Sequence, residues 1–295
     1  MNLANAITGL LSAQVKRTIK AYLHGARRLY YMTFRRFDQR DFELALKRIG
    51  LRPGSCVMVH SSVGRFIGFS GTALEVLKIL QSVVSDTGTI MMPTMPFTGL
   101  ASEYARSQTL DVRRTPSRMG ILTELLRRMP ATVRSVHPTH PVAIWGNDAA
   151  TIAAGHPDAT TPCGKGSPFH ELLTRGGSIL LIDVDIHAMT FFHTLEELYE
   201  SKLPHCPFTA ETFHLAARNA GGALVPTVTR LFDSRVASIR RLDRLIAPLK
   251  RMNAWHETNV GGVRLVLFEC ESMRAAYLSL CESGLHAYEF DRLGA

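Results

Sequence analysis

The chain has 295 residues, of which 46% are hydrophobic and 20% are charged, and its net charge is +9. This composition excludes a disordered or low-complexity protein and is typical of a globular one with one large domain or two of ordinary size. No apolar run reaches the roughly 18 to 20 residues of a membrane-spanning helix, so we expect a soluble or peripheral protein. The charge suits nucleic acid, anionic lipid or an anionic cofactor and does not distinguish among them.

The cysteines are widely scattered and lack CxxC spacing, which argues against a disulfide framework and against a zinc ribbon. They are Cys56, Cys163, Cys206, Cys270 and Cys281. The start of the chain has no basic residue before its apolar part and no small-residue cleavage site, so a secretory signal is not expected. These features predict a cytoplasmic protein.

Residues 1–41 differ from the rest of the chain. Apolar residues at helical spacing are followed by basic ones: Leu3, Ile7, Leu10, Leu11 and Val15, then Lys16, Arg17, Lys20, Arg27, Arg28, Arg35 and Arg36. The pattern predicts a basic amphipathic helical extension. It has two interpretations. The helix packs on the main domain or on a second subunit of a homo-oligomer, or it lies on an anionic membrane surface as a peripheral contact.

From Asp41 onward, helical patterns alternate with short apolar strands. The predicted helices are Phe42–Ile49, Thr72–Ser85, Ser117–Met129 with Ser117 as N-cap, Asn147–Ala154, Pro168–Thr174, His193–Ser201, Arg240–Arg251 and Ser272–Glu282. The predicted strands are Ser55–Ser62, Thr89–Thr94, Val142–Trp145, Ser178–Val184 and Arg264–Glu269. This alternation predicts an α/β fold whose mixed or parallel sheet is covered on both faces. The less regular region 203–260 is interpreted as a cap or substrate-binding subregion of a main domain over 42–295.

Ligands of such folds bind at the carboxyl ends of the strands, so the loops that follow the predicted strands are the first candidates. The loop SSVGRFIGFSGT leads to a helix that begins near Thr72, where backbone amides can hold phosphate. An ordinary strand-to-helix connection is the alternative. A phosphate loop ending at Gly164 and Lys165 is excluded, because Ala159 and Gly166 occupy positions where that motif requires Gly and Ser or Thr.

The segment after SILLIDV contains the strongest candidates for catalytic residues. His193 and Glu196 are three residues apart on one helix face. A carboxylate bonded to one ring nitrogen fixes the histidine tautomer and raises the basicity of the other nitrogen, as a general base requires. The alternative is a surface histidine with an incidental glutamate neighbour.

Other reactive groups are less convincing. His137, His140, His187 and His193 lack both an HExxH motif and clustered carboxylates, so no metal site is expected, and His140 is interpreted as structural. No GxSxG elbow is present, and Cys163 is interpreted as incidental.

Several segments, in this order, resemble the aminoglycoside 3-N-acetyltransferase family from about Asp41 to Glu282. They are VMVHSSVGRFIGFSGT, TIMMPTMPF, DVRRTPSRMGILTELLRRMP, VRSVHPTHPVAIWG, AGHPDATTPCGKGSPFHELLTRGGSILLIDV and TFFHTLEE. The resemblance implies an α/β/α sandwich with a mixed central sheet, acetyl-CoA as cosubstrate, no metal, and direct transfer of acetyl to an amine of an aminoglycoside or amino-sugar-like acceptor. Antibiotic resistance follows where that acceptor is an antibiotic.

The resemblance also implies roles for individual residues. His193 matches the catalytic histidine of a Thr-x-x-His-x-x-Glu pattern, with Thr190 and Glu196 in its other two places, and His137 falls near the reacting centre. Segments that line the coenzyme site contain His60, Ser61, Ser62, Val63, Thr94, Thr115, Pro116 and Ser117. We expect His193, oriented by Glu196, to deprotonate the acceptor amine while Thr190 or backbone amides stabilise the oxyanion.

Two questions stay open at this point. The C-terminal half is rich in arginine, which would repel a polycationic aminoglycoside and would favour a different, even acidic, metabolite amine. The arginines concerned are Arg230, Arg235, Arg240, Arg241, Arg244 and Arg251.

The second question is function itself: a non-catalytic protein on this fold, binding an anionic ligand or nucleic acid, is the alternative. The pair His193 and Glu196 argues against it, and no nucleic-acid-binding signature accompanies the basic aromatic stretch YYMTFRRF.

Overall fold

Helices and strands alternate along the described residues, 13–294, of this computed structural model. The helices are Ala13–Phe34 (α1), Gln39–Arg48 (α2), Ala73–Val84 (α3), Ala101–Ser107 (α4), Ile121–Leu126 (α5), Ala149–Ala154 (α6), Pro168–Thr174 (α7), Phe192–Leu198 (α8), Ser234–Ser238 (α9), Ile246–Arg251 (α10) and Cys270–Glu282 (α11). The strands are Cys56–Ser61 (β1), Thr89–Pro93 (β2), Leu110–Asp111 (β3), Val133–Arg134 (β4), Val142–Gly146 (β5), Ser178–Ile182 (β6), Phe208–Arg218 (β7), Leu224–Phe232 (β8), His256–Val260 (β9) and Val263–Glu269 (β10).

The main sheet has the strand order β4-β5-β2-β1-β6-β10-β9. Strand β1 lies at its centre and pairs in parallel with both β2 and β6. The outer pairings, β2 with β5, β5 with β4, β6 with β10 and β10 with β9, are antiparallel. The sheet is therefore mixed, as predicted.

Alternate residues of the central strands face opposite layers of helices. Val57 and Val59 of β1 pack with buried residues of α2, α3 and α5. Met58 between them packs in a second buried cluster with residues of α6, α7, α8 and α11. Because neighbouring side chains on a strand point to opposite faces, both faces of β1 are covered. The predicted α/β/α sandwich is confirmed.

Local capping explains where two of the early helices begin. Asp38 caps α2, its side chain accepting from the amide of Asp41, and the Asp41 carboxylate accepts from the Asp38 amide in return. Thr72 and Glu75 form the same reciprocal box at the start of α3. The capped start of α2 precedes the predicted division at residue 41 by a few residues, and the division into an extension and a main domain stays a prediction.

The predicted helix over Ser117–Met129 is too long, and its predicted N-cap is wrong. The observed helix α5 begins after Gly120, whose φ of +110° a side chain would make unfavourable. The Ser117 hydroxyl instead bonds the Thr123 hydroxyl at 2.7 Å, and its amide donates to Glu124 at 2.8 Å. These contacts hold the segment before α5 as a loop.

The largest feature that the sequence interpretation missed is the β7–β8 hairpin, which pairs with β3 in a second, three-stranded sheet. The alternation of apolar and polar residues along its strands is weak, because many of its side chains are exposed on both faces. Pro226, read as an interruption, lies in β8, an edge strand, where the missing amide costs no ladder bond. The hairpin occupies part of the predicted substrate-binding subregion, 203–260.

The extension is described only in part. Leu3, Ile7, Leu10 and Leu11 lie outside the described residues, while α1 confirms a helix over Ala13–Phe34. Within the described part of the chain, no helix combines the length and the apolar character needed to cross a bilayer.

Thr72→Ala removes the hydroxyl that caps α3, so we expect a loss of about 1 kcal/mol in the free energy of unfolding. Urea unfolding of both proteins measures the change. Thr174→Ala is the matched control, because that hydroxyl only donates to a carbonyl of its own helix, Glu171, at 3.1 Å. A Thr72→Ala protein as stable as the control would contradict this role of the cap.

Candidate active site

The carboxyl ends of the three parallel strands meet at one edge of the main sheet. Ser61 and Ile182 are register partners at the ends of β1 and β6, and the Ser62 amide donates to the Ile182 carbonyl at 2.9 Å. Directly after β6, Asp183 forms an ion pair with Arg65 at 3.3 Å. The loop after β6 then leads to α8, so the sheet edge and the start of this helix are connected by a short segment.

His193 lies in the first turn of α8, where both its backbone and its ring are hydrogen-bonded. Its backbone amide donates to the Thr190 carbonyl at 3.1 Å, and its Nδ1 is hydrogen-bonded to the Glu196 carboxylate. With Nδ1 engaged, Nε2 is the nitrogen that can accept a proton from a ligand. The side chain keeps 16% of its surface exposed, whereas Glu196 is completely buried.

The buried carboxylate of Glu196 is compensated by partners from distant parts of the chain. Arg240 donates from Nε to Oε1 at 3.1 Å and from Nη2 to Oε2 at 3.2 Å, and the Tyr288 hydroxyl donates to Oε1. Burial alone would raise the pKa of Glu196, but Arg240 and His193 outweigh it and hold the pKa below its ordinary value. Glu196 is therefore an anion that keeps Nδ1 of His193 protonated.

Phe232, at the end of β8, covers one face of the histidine. The two rings are stacked, with centroids 3.7 Å apart and planes inclined by 25°. Arg240 lies near the same phenyl ring, 5.9 Å from its centroid. The hairpin thus restricts the imidazole from the side that Glu196 does not contact.

The surroundings of His193 favour its neutral form. Burial and the Arg240 guanidinium lower the pKa of the imidazole, although Glu196 acts in the opposite direction. An imidazole with a lowered pKa is unprotonated at neutral pH and is ready to act as a base.

A second group of histidines is buried beside the site. The amides of Thr139 and His140 donate to Nδ1 of His137, whose ring stacks on His156 at 4.6 Å. Burial lowers the pKa of His137 far below its ordinary value and that of His156 to about 4. His140 contacts Phe232 edge-to-face at 5.8 Å. These histidines are therefore neutral groups that stabilise the loop between β4 and β5. A catalytic role for His137 stays a prediction.

Two predicted coenzyme residues are joined by a buried arginine that the sequence interpretation overlooked. Arg134 donates to the Thr94 hydroxyl at 2.9 Å, to the Thr94 carbonyl at 2.7 Å and to the Thr115 carbonyl at 2.6 Å. The Thr94 hydroxyl also donates to Pro141, so its side chain is fully used within the protein. Thr94 and Arg134 therefore set the position of the loop that carries Thr115.

The other predicted coenzyme residues differ in their access to solvent. Ser62 and Pro116 are exposed and Ser61, Val63 and Thr115 are half-buried, while His60 and Ser117 are buried. Burial lowers the pKa of His60 to about 4, and its Nε2 has no partner among the described residues. Contact of these residues with a coenzyme stays a prediction.

Two amides at the start of α3 are already used by its capping box. The Thr72 amide donates to the Glu75 carboxylate at 2.6 Å, and the Glu75 amide donates to Thr72. A second anion would meet the negative charge of Glu75 at this helix end. The ordinary-connection interpretation of this loop is the better one.

The thiol of Cys163 is poorly placed for chemistry. Cys163 is completely buried, and burial raises its pKa far above the ordinary value, which opposes thiolate chemistry. Within residues 13–294, no group of three His, Cys, Asp or Glu side chains is placed to hold a metal ion.

The arginines of the C-terminal half are largely neutralised by carboxylates. The pairs are Arg230–Glu200 at 3.2 Å, Arg235–Asp233 at 2.7 Å, Arg240–Glu196 at 3.0 Å and Arg241–Asp243 at 2.9 Å. Arg244 donates to two backbone carbonyls. The sequence predicts that these arginines repel a cationic acceptor. That prediction assumes unpaired arginines, whereas most of them are paired with carboxylates.

Sequence reasoning placed His193 and Glu196 together and missed the residues that complete the site: Arg240, Tyr288, Phe232 and Arg134. Arg240 was visible only as part of a basic helical segment, although it precedes the helix and pairs with Tyr288 in an isolated bridge. Tyr288 and Phe232 carried no signal, because contacts across 92 and 39 positions of the chain leave no local pattern.

Together, the fold and the site define an α/β/α protein with a histidine–carboxylate pair at the carboxyl edge of its parallel strands. The family model for aminoglycoside 3-N-acetyltransferase matches residues 58–281. The chain belongs to this family, and the resemblance seen in the sequence is confirmed.

Individual relatives agree with this assignment. The SPbeta prophage-derived aminoglycoside N(3')-acetyltransferase-like protein YokD of Bacillus subtilis is 30% identical over 168 residues, 51% of this chain and 61% of that protein. The match thus spans less than two thirds of the length of this curated relative. The crystal structure of aminoglycoside acetyltransferase AAC(3)-Xa is 25% identical with a TM-score of 0.74, covering 90% of this chain and 99% of that one. AAC-IIIb, solved as a binary complex with CoASH, shows the same fold at 20% identity, with a TM-score of 0.71 and coverage of 86% and 99%.

Arg240→Met should raise the pKa of His193, because removing a nearby cation favours the imidazolium form. Titration of the imidazole followed by NMR measures the shift. Arg241→Met is the matched control, since Arg241 pairs with Asp243 and Glu289 and makes no contact with His193 or Glu196. An unchanged His193 pKa in the Arg240 variant would show that the guanidinium does not act on the ring.

Proposed function

We propose that this protein is an acetyl-CoA-dependent N-acetyltransferase that acts on an amine of an aminoglycoside or amino-sugar-like acceptor. The observation that carries the proposal is the hydrogen bond between Nδ1 of His193 and the buried, ionised carboxylate of Glu196. A protein that only binds a ligand has no need of a neutral imidazole held in one tautomer by a charged group. Membership of the family supplies the donor and the acceptor class.

In the proposed reaction, Nε2 of His193 takes a proton from the acceptor amine. Glu196 stabilises the positive charge that then forms on the ring, and Arg240 and Tyr288 keep the carboxylate in place. Acetyl-CoA supplies the acetyl group as a thioester. The C–N bond forms as the C–S bond breaks, and the proton on Nε2 is then available to the departing thiolate. Direct transfer needs no acyl-enzyme, which agrees with the inert environment of Cys163.

We propose that Thr190 assists at the carbonyl oxygen. It directly precedes α8, its carbonyl is bonded to the His193 amide, and no described residue bonds its hydroxyl. A hydroxyl with no partner in the protein can donate to the oxygen on which negative charge develops. We assign Thr190 this role, with His193 as the base and Glu196 as the orienting group.

The proposed coenzyme contacts agree with the chemistry of a neighbouring cleft. Thr115 and Pro116 line it together with Tyr104, Arg114 and Arg118. Guanidinium groups suit the phosphates of an anionic nucleotide, and an aromatic ring suits a base. The fit of this cleft supports Thr115 and Pro116 as coenzyme-lining residues.

A cationic acceptor agrees with the position of Glu197, a carboxylate beside α8 that has no arginine partner among the described residues. An open cleft there is lined by Glu197, Leu198, Glu200, Ser201 and Cys206. Glu197 comes four residues after His193, so the two share one side of the helix. We therefore favour an acceptor with several amino groups. The proposal includes a cytoplasmic location, where acetyl-CoA is formed, and it involves neither a metal nor nucleic acid.

His193→Ala should lower kcat at least about 100-fold while coenzyme binding is retained, because the variant lacks only the base. Thiol release from acetyl-CoA, with a panel of aminoglycosides and amino sugars, measures turnover, and calorimetry with CoA measures binding. His187→Ala is the matched control, since that histidine is exposed and makes no contact with Glu196.

Two results would contradict the assignment. Near-normal turnover by the His193→Ala protein would remove the base from the mechanism. The second result is that the unsubstituted protein binds CoA but releases no thiol from acetyl-CoA with any acceptor of the panel. This would favour the non-catalytic binding protein instead.

Glu197 should make the KM for a polyamine acceptor depend on pH. Burial raises its pKa to about 7, so the carboxylate becomes charged as the pH rises through this value and then attracts a cation. We expect the KM of an aminoglycoside substrate to fall between about pH 6 and 8. Glu197→Gln should flatten this dependence, whereas Glu282→Gln, on exposed α11 surface, should retain it. A dependence that survives in the Glu197 variant would assign it to another group.

A further inference from the structure

We propose that helix α1 docks this protein on an anionic membrane surface, lying parallel to the bilayer with its apolar residues among the lipid headgroups. This surface is separate from the acetyl-transfer site and does not rest on the proposed function. The inference depends on three features: the exposed apolar side chains of α1, the contact of α1 with the main body, and the exclusively positive charge of the first 37 residues.

Large apolar side chains of α1 are exposed to a degree that is unusual for a soluble helix. Tyr22 is 76% exposed, Leu29 is 69% exposed and Phe34 is 73% exposed. Tyr22 and Leu29 are seven residues apart, which places them on the same face of the helix. Tyr30, 47% exposed, contacts the Phe34 ring with centroids 5.6 Å apart and extends this surface. A contiguous exposed apolar surface marks a site of interaction.

The other side of α1 is the one that meets the main body. Its last turn approaches the short turn Phe66–Gly68 so closely that a Cβ on Gly68 would lie 2.1 Å from the Arg35 carbonyl oxygen. Tyr31 is half-buried, and its ring lies beside Gly262 at the β9–β10 connection. At about 100° per residue, Tyr31 is about 180° around the helix from Tyr22 and about 160° from Leu29. Tyr22 and Leu29 therefore face away from the contact with the body, whereas Phe34, about 60° from Tyr31 at about 100° per residue, lies exposed at its margin.

The charge of this part of the chain selects the partner. Residues 1–37 contain seven Lys and Arg residues and no Asp or Glu, which gives a charge of +7. A second copy of α1 packed on the apolar face would bring two such segments together, and like charges oppose that pairing. A nucleic acid would satisfy the charge but would leave Leu29 and Phe34 in water. An anionic lipid surface complements the basic residues and the apolar residues at the same time.

The residue types agree with an interfacial position. No helix of the described chain is long and apolar enough to span a bilayer, so α1 would lie on the surface. Tyrosine is favoured at the headgroup level, where its ring is apolar and its hydroxyl stays hydrated. Tyr22 and Tyr30 supply such side chains on the exposed surface.

Sedimentation of the full chain with vesicles tests the proposal. We expect binding to mixed phosphatidylglycerol–phosphatidylcholine vesicles, weakened by added salt, and little binding to pure phosphatidylcholine vesicles. The double variant Leu29→Glu with Phe34→Glu should bind the anionic vesicles at least about tenfold more weakly, because two apolar side chains are lost and two negative charges are added. Leu224→Glu with Leu285→Glu is the matched control, since these leucines are 56% and 59% exposed but lie outside α1; it should bind like the unsubstituted chain.

Three outcomes would overturn the proposal: no binding of the unsubstituted chain to anionic vesicles, equal loss in the control variant, or a dimer in gel filtration that the α1 substitutions dissociate while vesicle binding persists. The last result would assign the surface to a second copy. Thiol release, measured without vesicles, is expected to be unchanged in the α1 variant. Its failure in all proteins would affect the proposed function alone.

Discussion

A carboxylate sealed from solvent is stable as an anion only when cationic and hydrogen-bonding partners surround it, and Glu196 meets this condition through Arg240, Tyr288 and His193. These partners come from α8, from the segment after the β7–β8 hairpin and from the C-terminal segment. The candidate base is therefore in place only when all three parts of the chain are folded together. The hairpin contributes directly as well, because Phe232 stacks on the same imidazole.

The same principle operates at the other side of the site. Arg134 is buried, yet its donors reach Thr94 and the carbonyls of the 112–115 loop, so the charge is compensated by backbone and hydroxyl oxygens. Burial lowers the pKa of Arg134 only to about 10, and the side chain stays charged at neutral pH. Buried arginines thus fix both the candidate base, through Glu196, and the loop proposed for the coenzyme.

Charge is distributed differently in the main body and in α1. In the main body most arginines of the C-terminal half have carboxylate partners, and Glu200 is itself the partner of Arg230, so among the described residues Glu197 is the unpaired carboxylate of the cleft beside α8. In the first 37 residues no acidic side chain is available to balance the basic ones. Net charge alone could not separate these cases, because a paired guanidinium contributes to the sum but little to the surface potential. A cationic acceptor and an anionic membrane are therefore compatible partners for one basic protein.

The sequence by itself determined the strands β1, β2, β5 and β6, the helices α2, α3 and α7, the pairing of His193 with Glu196 and the family. Each of these is a local pattern, set by periodicity, by caps or by residues a few positions apart. Only the tertiary structure decided that Gly120 delays α5, that residues 208–232 form a hairpin, and that Arg240, Tyr288 and Phe232 converge on one dyad. The contacts of Arg240, Tyr288 and Phe232 join residues that are distant along the chain, and their energies depend on burial, which exists only once helices cover both faces of the sheet. Gly120 acts locally, but its positive φ cannot be read from the residue type alone.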